Sequence, residues 1–411
     1  MHILLIHQAF ASLDEPGGTR HHELARYLAA RGYQITIIAS PVSYLTGQRK
    51  KEQVHWVICE DGGAGIQVLR AYTYPALHRS FVHRVFSFFS FMISSFLIGL
   101  SVRPIDLVWG TSPPIFQGVT AWALARLKRV PFLFEVRDLW PAFAVAIGVL
   151  RQPLLIRASE WLERFLYRHS DLIVVNSPGF IDHVRERGAR NVELIPNGAD
   201  AAMFSPESDG AALRQEWGIQ GKFVALYAGA HGLSNDLGVI LSAADRLRDH
   251  SDIAIVLLGD GKDKPALIAQ ASKMQLSNLH FIAPLPKIAM SDALAAADAC
   301  IGILKPIPLY ATVYPNKVFD YMAAGRPVIL AIDGVIRILI EETGAGLFVQ
   351  PGDATTMAAA ILHLAAHPQV GREMGIRGRK LVEGRYNRPL LADQLAQLME
   401  DLVIRYNRSR G

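Results

Sequence analysis

The 411-residue chain reads as an α/β protein of two doubly wound, parallel-sheet domains. Three observations predict this. Short β-branched and aliphatic runs alternate with segments of helical spacing from end to end, the pattern of parallel strands with helices on both faces. The chain is too long for one ordinary core, and at 51% hydrophobic it holds enough apolar residues for two. The alternation pauses once, after Ile195-Pro196-Asn197-Gly198, and resumes near Phe223 beyond a polar stretch.

Six strands are expected in the first half, at 2–7, 34–39, 106–109, 131–136, 171–175 and 192–195. Six more are expected in the second, at 223–228, 253–258, 279–283, 298–303, 327–331 and 346–349. The domains predicted are 1–195 and 196–387, the last segment being a helix at 388–411 with Leu390, Leu391, Leu395, Leu398 and Leu402 at helical spacing. The N-terminal apolar run is too short and wrongly flanked for a signal peptide and reads as the first strand.

Cys59 and Cys300 are too few for a disulfide framework or a zinc cluster, which fits a reducing cytoplasm. Net charge is +5, yet residues 1–190 hold 21 Lys/Arg against 14 Asp/Glu. The longest basic run, Arg49-Lys50-Lys51, is too short to argue for nucleic acid. A basic first half suits an anionic membrane surface or a phosphate-bearing acceptor, or simple surface solvation. Val85 to Val102 carries no formal charge. It reads as a helix covering a sheet, a helix dipping into the membrane interface, or a span.

Three stretches can carry chemistry. After the first strand, Gly17 and Gly18 precede a helix, where backbone amides and the helix dipole suit a phosphate; a tight turn is the bland alternative. The spacing is not that of a dinucleotide fingerprint, which counts against a dehydrogenase. Arg137 and Asp138 leave a predicted parallel strand at the edge where such folds place ligands, and either pair with each other or face the ligand. The third stretch, Tyr314 to Ile329, is a loop, a helix capped near Asn316, a glycine and a strand. The helix N-terminus, opened by Pro315 and Asn316, offers its free backbone amides and the Lys317 cation to an anion, and Asp320 offers a carboxylate to a ribose diol.

With these residues in order, the chain resembles the GT-B-fold, family 4 retaining glycosyltransferases over essentially its whole length. The resemblance rests on Gly17-Gly18-Thr19, Glu135–Pro141, Ile195–Gly198, Tyr227-Ala228-Gly229, Leu258-Gly259-Asp260-Gly261 and Pro315–Val328. It implies two Rossmann-like domains facing each other across a cleft, with the donor bound by the second and the last helix returning to the first. Gly17 and Gly18 would then approach the diphosphate, Gly259 and Gly261 would line the nucleoside pocket, and Asp320 would hold the ribose. Residues 281–287 would lie against the base.

Two departures are visible. Thr312 stands where the family has the first of two glutamates, and no Arg/Lys pair follows the strand at 223–228. Lys317 is left as the phosphate cation. Gly229 and His231 join the donor side, His231 either as a contact or as a loop histidine. His21 and His22 either reach the ligand or lie on the surface. The Arg-Asp-Leu-Trp-Pro and Pro-Asn-Lys features resemble a subgroup serving bacterial surface polysaccharides, including N-acetylfucosaminyl-type transferases.

The activity implied is transfer from a nucleotide sugar, with uracil the family's preferred base, to a saccharide or lipid-linked acceptor at the inner face of the plasma membrane. Arg137 and Asp138 are the catalytic candidates, and no cofactor or metal is expected. The alternatives are an enzyme like UDP-N-acetylglucosamine 2-epimerase and a non-catalytic sugar-nucleotide-binding subunit.

Overall fold

The computed structural model describes residues 1–43, 55–75, 81–204 and 208–410. The basic run at 49–51 lies outside them. The chain divides into two compact units, one of residues 1–13, 17–196 and 389–411, the other of 14–16 and 197–388.

Eight strands form the sheet of unit one: β1 (His2–Ile6), β2 (Gln34–Ala39), β3 (Val57–Asp61), β4 (Ile66–Ala71), β5 (Leu107–Ser112), β6 (Phe132–Val136), β7 (Leu172–Val175) and β8 (Val192–Leu194). Their spatial order is β3-β4-β2-β1-β5-β6-β7-β8, and only β3 runs antiparallel to its neighbour. The expected count of six is corrected by β3 and β4. Edge strand β3 alternates exposed and half-buried residues, and its Glu60 accepts from Arg70 of β4 at 2.7 Å. A cross-strand charge pair of this kind interrupts the aliphatic run without interrupting the strand.

The helices of unit one include α1 (Arg20–Ala30), α2 (Phe81–Ser101), α3 (Phe116–Lys128), α4 (Ala142–Ala146) and α5 (Pro153–His169). The uncharged run at 85–102 is α2. It buries Phe91, Ser94, Ser95 and Ile98 and exposes Phe86, Phe89, Ile93 and Leu97. Length and composition would let it cross a membrane, while 33% of its apolar window is buried inside the fold. The C-terminal helix Arg388–Arg408 lays Leu391, Leu395, Met399 and Leu402 against Ile3, Leu5, Ile35 and Trp109. Its Glu400 accepts from Tyr33, and Asp393 pairs with Arg31.

Unit two is built on six parallel strands: β9 (Phe223–Ala228), β10 (Ile253–Leu258), β11 (Leu279–Ile282), β12 (Ala299–Ile303), β13 (Val328–Ala331) and β14 (Gly346–Phe348). Their order is β11-β10-β9-β12-β13-β14. Alternation along β9 and β10 separates two cores, Val224, Leu226, Val256 and Leu258 on one face and Ala225, Tyr227, Ile255 and Leu257 on the other. Strands buried on both faces lose the polar half of the alternation, which is why they read as continuous aliphatic runs. Strand order reverses between β1 and β5 in the first sheet and between β9 and β12 in the second. The carboxyl ends at those reversals are where a doubly wound sheet opens to a ligand.

Candidate active site

In unit one the chain leaves β1 at His7, β5 at Ser112 and β6 at Val136, all at the reversal or beside it. Glu135 is the one acid inside β6 and is fully buried. It accepts from Arg20 Nε at 2.8 Å, His21 Nε2 at 2.7 Å and Trp109 Nε1 at 3.1 Å. Arg20 also donates to the carbonyls of Ile195 and Pro196, each at 2.7 Å. Burial alone would raise the Glu135 carboxyl, but His21 and Arg20 outweigh it and hold the group well below its usual range. A carboxylate so committed is a poor general base and a good anchor.

Burial lowers His21 to about 4, against the pull of Glu135, so its ring is neutral and its Nε2–H faces the carboxylate. Its Nδ1 is then an acceptor, and that atom is buried without a hydrogen-bond partner. The His7 ring lies 4.3 Å from the His21 ring, centroid to centroid. Its Nδ1 meets Thr111 Oγ1 at 3.0 Å, while its Nε2 also lacks a partner. Burial, then His21, pushes His7 well below the ordinary histidine value. Arg137 donates from Nε to the Ser112 carbonyl at 3.0 Å. Asp138, partly buried with Oδ1 out of solvent and unpartnered, has its carboxyl raised to about 7 by burial, with Arg137 opposing. That places a carboxyl and an arginine with different tasks side by side.

Gly17 and Gly18 are exposed in the turn ahead of α1, whose first-turn amides have no side-chain cap. A Cβ on Gly18 would meet nothing within 4 Å, so the fold itself does not demand glycine there.

In unit two, the loops after β9 and β10 interlock. A Cβ on Gly259 would sit 1.9 Å from the Gly229 carbonyl oxygen, and one on Gly261 would sit 2.4 Å from that of His231. The His231 amide donates to the Asp260 carbonyl at 2.8 Å, and its carbonyl accepts from the Asp263 amide at 3.0 Å. Its ring is buried, and neither nitrogen has a partner. Burial, then the charge of Lys264, lowers it to about 4. Lys264 itself donates to the carbonyls of Gly259 and Ile282.

Lys317 comes into the same loops from the helix Asn316–Ala323. Its Nζ donates to Tyr227 Oη at 2.7 Å, and the Tyr227 hydroxyl donates in turn to the Ala230 carbonyl at 2.7 Å. A Cβ on Gly229 would lie 2.7 Å from this Nζ, so glycine there makes room for the ammonium. Burial of its ammonium lowers Lys317 to about 7.

The structure thus gathers Gly229, His231, Gly259, Gly261 and Lys317 around one loop pair. Pro315 is the N-cap of the 316–323 helix and Asn316 its first residue, so the helix begins where the spacing places it. Asn316 donates to Asp320 Oδ2 at 3.4 Å and accepts from Arg388. Asp320 also pairs with Lys287 at 2.6 Å, a buried lysine in the segment expected beside the base. Thr312 donates to the Leu309 carbonyl. Sequence reasoning leaves out Glu135, Arg20 and His7 as a group, and the surface option for His21 is corrected by its burial. The available signal is a lone acid inside an aliphatic strand, which must find partners.

Residues 17–198 match the glycosyl transferase 4-like domain and residues 222–367 match glycosyl transferases group 1. A putative colanic acid biosynthesis glycosyl transferase of Escherichia coli, WcaI, is 25% identical over 371 residues, covering 86% of this chain and 90% of the relative. Among solved structures, sucrose-phosphate synthase from Thermosynechococcus elongatus superposes with a TM-score of 0.79 at 19% identity, over 98% of both chains. Anabaena HepE in complex with UDP-glucose gives 0.71 at 16% identity, over 98% of this chain and 100% of that one. With both domain models in tandem on this two-sheet fold, the chain belongs to the GT-B-fold, family 4 glycosyltransferases.

Proposed function

We propose that this chain transfers a sugar, with retention, from a UDP-linked N-acetyl amino sugar to a membrane-associated or lipid-linked saccharide in the synthesis of bacterial surface polysaccharide. The colanic acid relative's name and the solution of HepE with UDP-glucose support the pathway class and the donor class. The proposal includes a cytoplasmic location, peripheral at the inner face of the plasma membrane.

The observation that carries it is Lys317, a part-buried lysine held on Tyr227 beside Gly229, in the loops that also carry an unpartnered His231. Cleaving a nucleotide sugar builds negative charge on the departing diphosphate. A cation preorganised by a tyrosine hydroxyl stabilises that charge more than it stabilises the ground state. Lys317 supplies the cation, and the His231 ring supplies a hydrogen-bonding edge to a phosphate or sugar oxygen. Arg137 and Asp138 position the reacting groups, with the departing phosphate taking the acceptor's proton. The reading calls for no cofactor and no metal.

Thermal stabilisation by UDP-, GDP- and ADP-sugars tests it, since a ligand at about 100 times its Kd adds about 2.7 kcal/mol. UDP-sugars are expected to stabilise the chain. Lys317→Met keeps the volume and removes the charge; it is expected to abolish the shift while melting no lower than the parent. Equal stabilisation of both proteins would sink the site assignment. Sugar release from the bound donor then separates an enzyme from a binding subunit.

A further inference from the structure

Helices α2, α3 and α5 form one layer on unit one, and glycines set their spacing. A Cβ on Gly99 of α2 would meet Leu124 of α3 at 2.5 Å, and one on Gly118 of α3 would meet Leu166 of α5 at 2.9 Å. Trp122 of α3 packs edge-on against Phe165 of α5 at 4.9 Å, and Thr120 of α3 donates to the Met92 carbonyl of α2. The inner side of the layer is buried as core. Its outer side is apolar where water would favour polar groups.

On α2 that side carries Val82, Phe86, Phe89, Ile93 and Leu97, 42–61% exposed and spaced by three or four residues, which is one face of a helix. On α5, Leu154 is 76% and Trp161 64% exposed. Arg157 and Arg164 flank Trp161 at helical spacing and are exposed, as are Arg151 and Arg168. Of the two acids on α5, Glu160 is half-buried and Glu163 is fully buried between His183 and Arg187. The layer therefore presents hydrophobic side chains among arginines, with almost no exposed carboxylate to oppose them.

We infer that the outer face of α2 and α5 together is the surface by which this chain lies on an anionic lipid bilayer, with Trp161 and the α2 stripe entering the headgroup region and Arg157 and Arg164 meeting lipid phosphates. The inference deepens the peripheral attachment proposed above and rests on it. Apolar burial and attraction to anionic lipid act together in such helices, and an interfacial tryptophan suits the boundary. The buried side of α2 assigns it to lying on the membrane, not crossing it.

The test is co-sedimentation of the full chain with vesicles of phosphatidylcholine alone, or with about one-third phosphatidylglycerol. The parent is expected to pellet with the anionic vesicles only, and to be released by carbonate. Arg157→Gln with Arg164→Gln, and separately Ile93→Glu with Leu97→Glu, are each expected to lower partitioning by roughly tenfold or more. Stabilisation by nucleotide sugar is expected to be unchanged in both, which keeps this inference separate from the donor site. Undiminished binding by either pair of substitutions overturns the assigned surface. Failure of the parent to bind anionic vesicles overturns attachment as well, and resistance to carbonate would make α2 a span.

Discussion

Lys317 is asked to be uncharged enough to sit partly buried against Tyr227 and charged enough to hold a diphosphate. Its lowering to about 7, caused by burial, puts both forms within reach near neutrality. The unfolded chain binds the proton up to about 10.5 and the folded chain only to about 7. Between those values the unfolded state holds more protons, so this group alone makes stability rise with pH across the window. A bound diphosphate reverses the preference by favouring the ammonium. Donor binding at pH 8 is therefore expected to take up close to one proton, and affinity to fall as pH rises above 7. Calorimetry in phosphate and in Tris reads the uptake as a difference in apparent enthalpy that Lys317→Met removes; equal enthalpies in both buffers for the parent would contradict the role. The cation itself was legible in the sequence, because the expected Arg/Lys pair is missing and Lys317 opens a helix. Its contact with Tyr227 was not, since 90 residues separate the two and only the neighbouring strands bring them together. The same holds for Glu135, whose partners Arg20 and His21 lie 115 and 114 residues away.

At the scale of elements, the expected strands of unit two coincide with those observed to within one residue at each end, because β9, β10, β12 and β13 are buried, nearly continuous apolar runs and the half-buried edge strands β11 and β14 are still bounded by turn residues. The hairpin of β3 and β4 escaped for the opposite reason. It forms an edge, half in water, and its charged residues serve as cross-strand partners. Glycines showed the same limit: the sequence marks where they are, while the fold decides which are indispensable. Gly259 and Gly232 both lie in loops after strands, yet a Cβ would overlap the Gly229 carbonyl at the first and meet nothing within 4 Å at the second. Gly259 is also at φ +143°, a strained conformation for any other residue. Gly259→Ala is thus expected to force the β9 and β10 loops apart, lowering the melting temperature and abolishing donor binding. Gly232→Ala is expected to stay within about 0.5 kcal/mol of the parent. Comparing urea midpoints and UDP affinity for the two variants decides it, and equal behaviour would mean that the loops are not interlocked as described.

The whole molecule has two units with separate cores, and the chain returns to unit one at residue 389 after completing unit two. The returning helix is part of the first unit's interior: Met399 is fully buried among Ile3, Leu5 and Trp109 of the same cluster. Among the described residues, none of this helix belongs to either core of unit two. Truncating a buried methionine to alanine removes about 2–5 kcal/mol, through lost transfer energy and the cavity left behind. In a unit of this size that lowers its transition by roughly 5–15 °C. Met399→Ala is accordingly expected to move one calorimetric transition down and leave the other in place, with UDP continuing to raise the unmoved one. The unit that melts early would then be identified by a residue near the C-terminus acting on strands near the N-terminus. If both transitions fall together, or if UDP stabilises the one that moved, the returning helix supports unit two as well, and the two cores do not unfold independently.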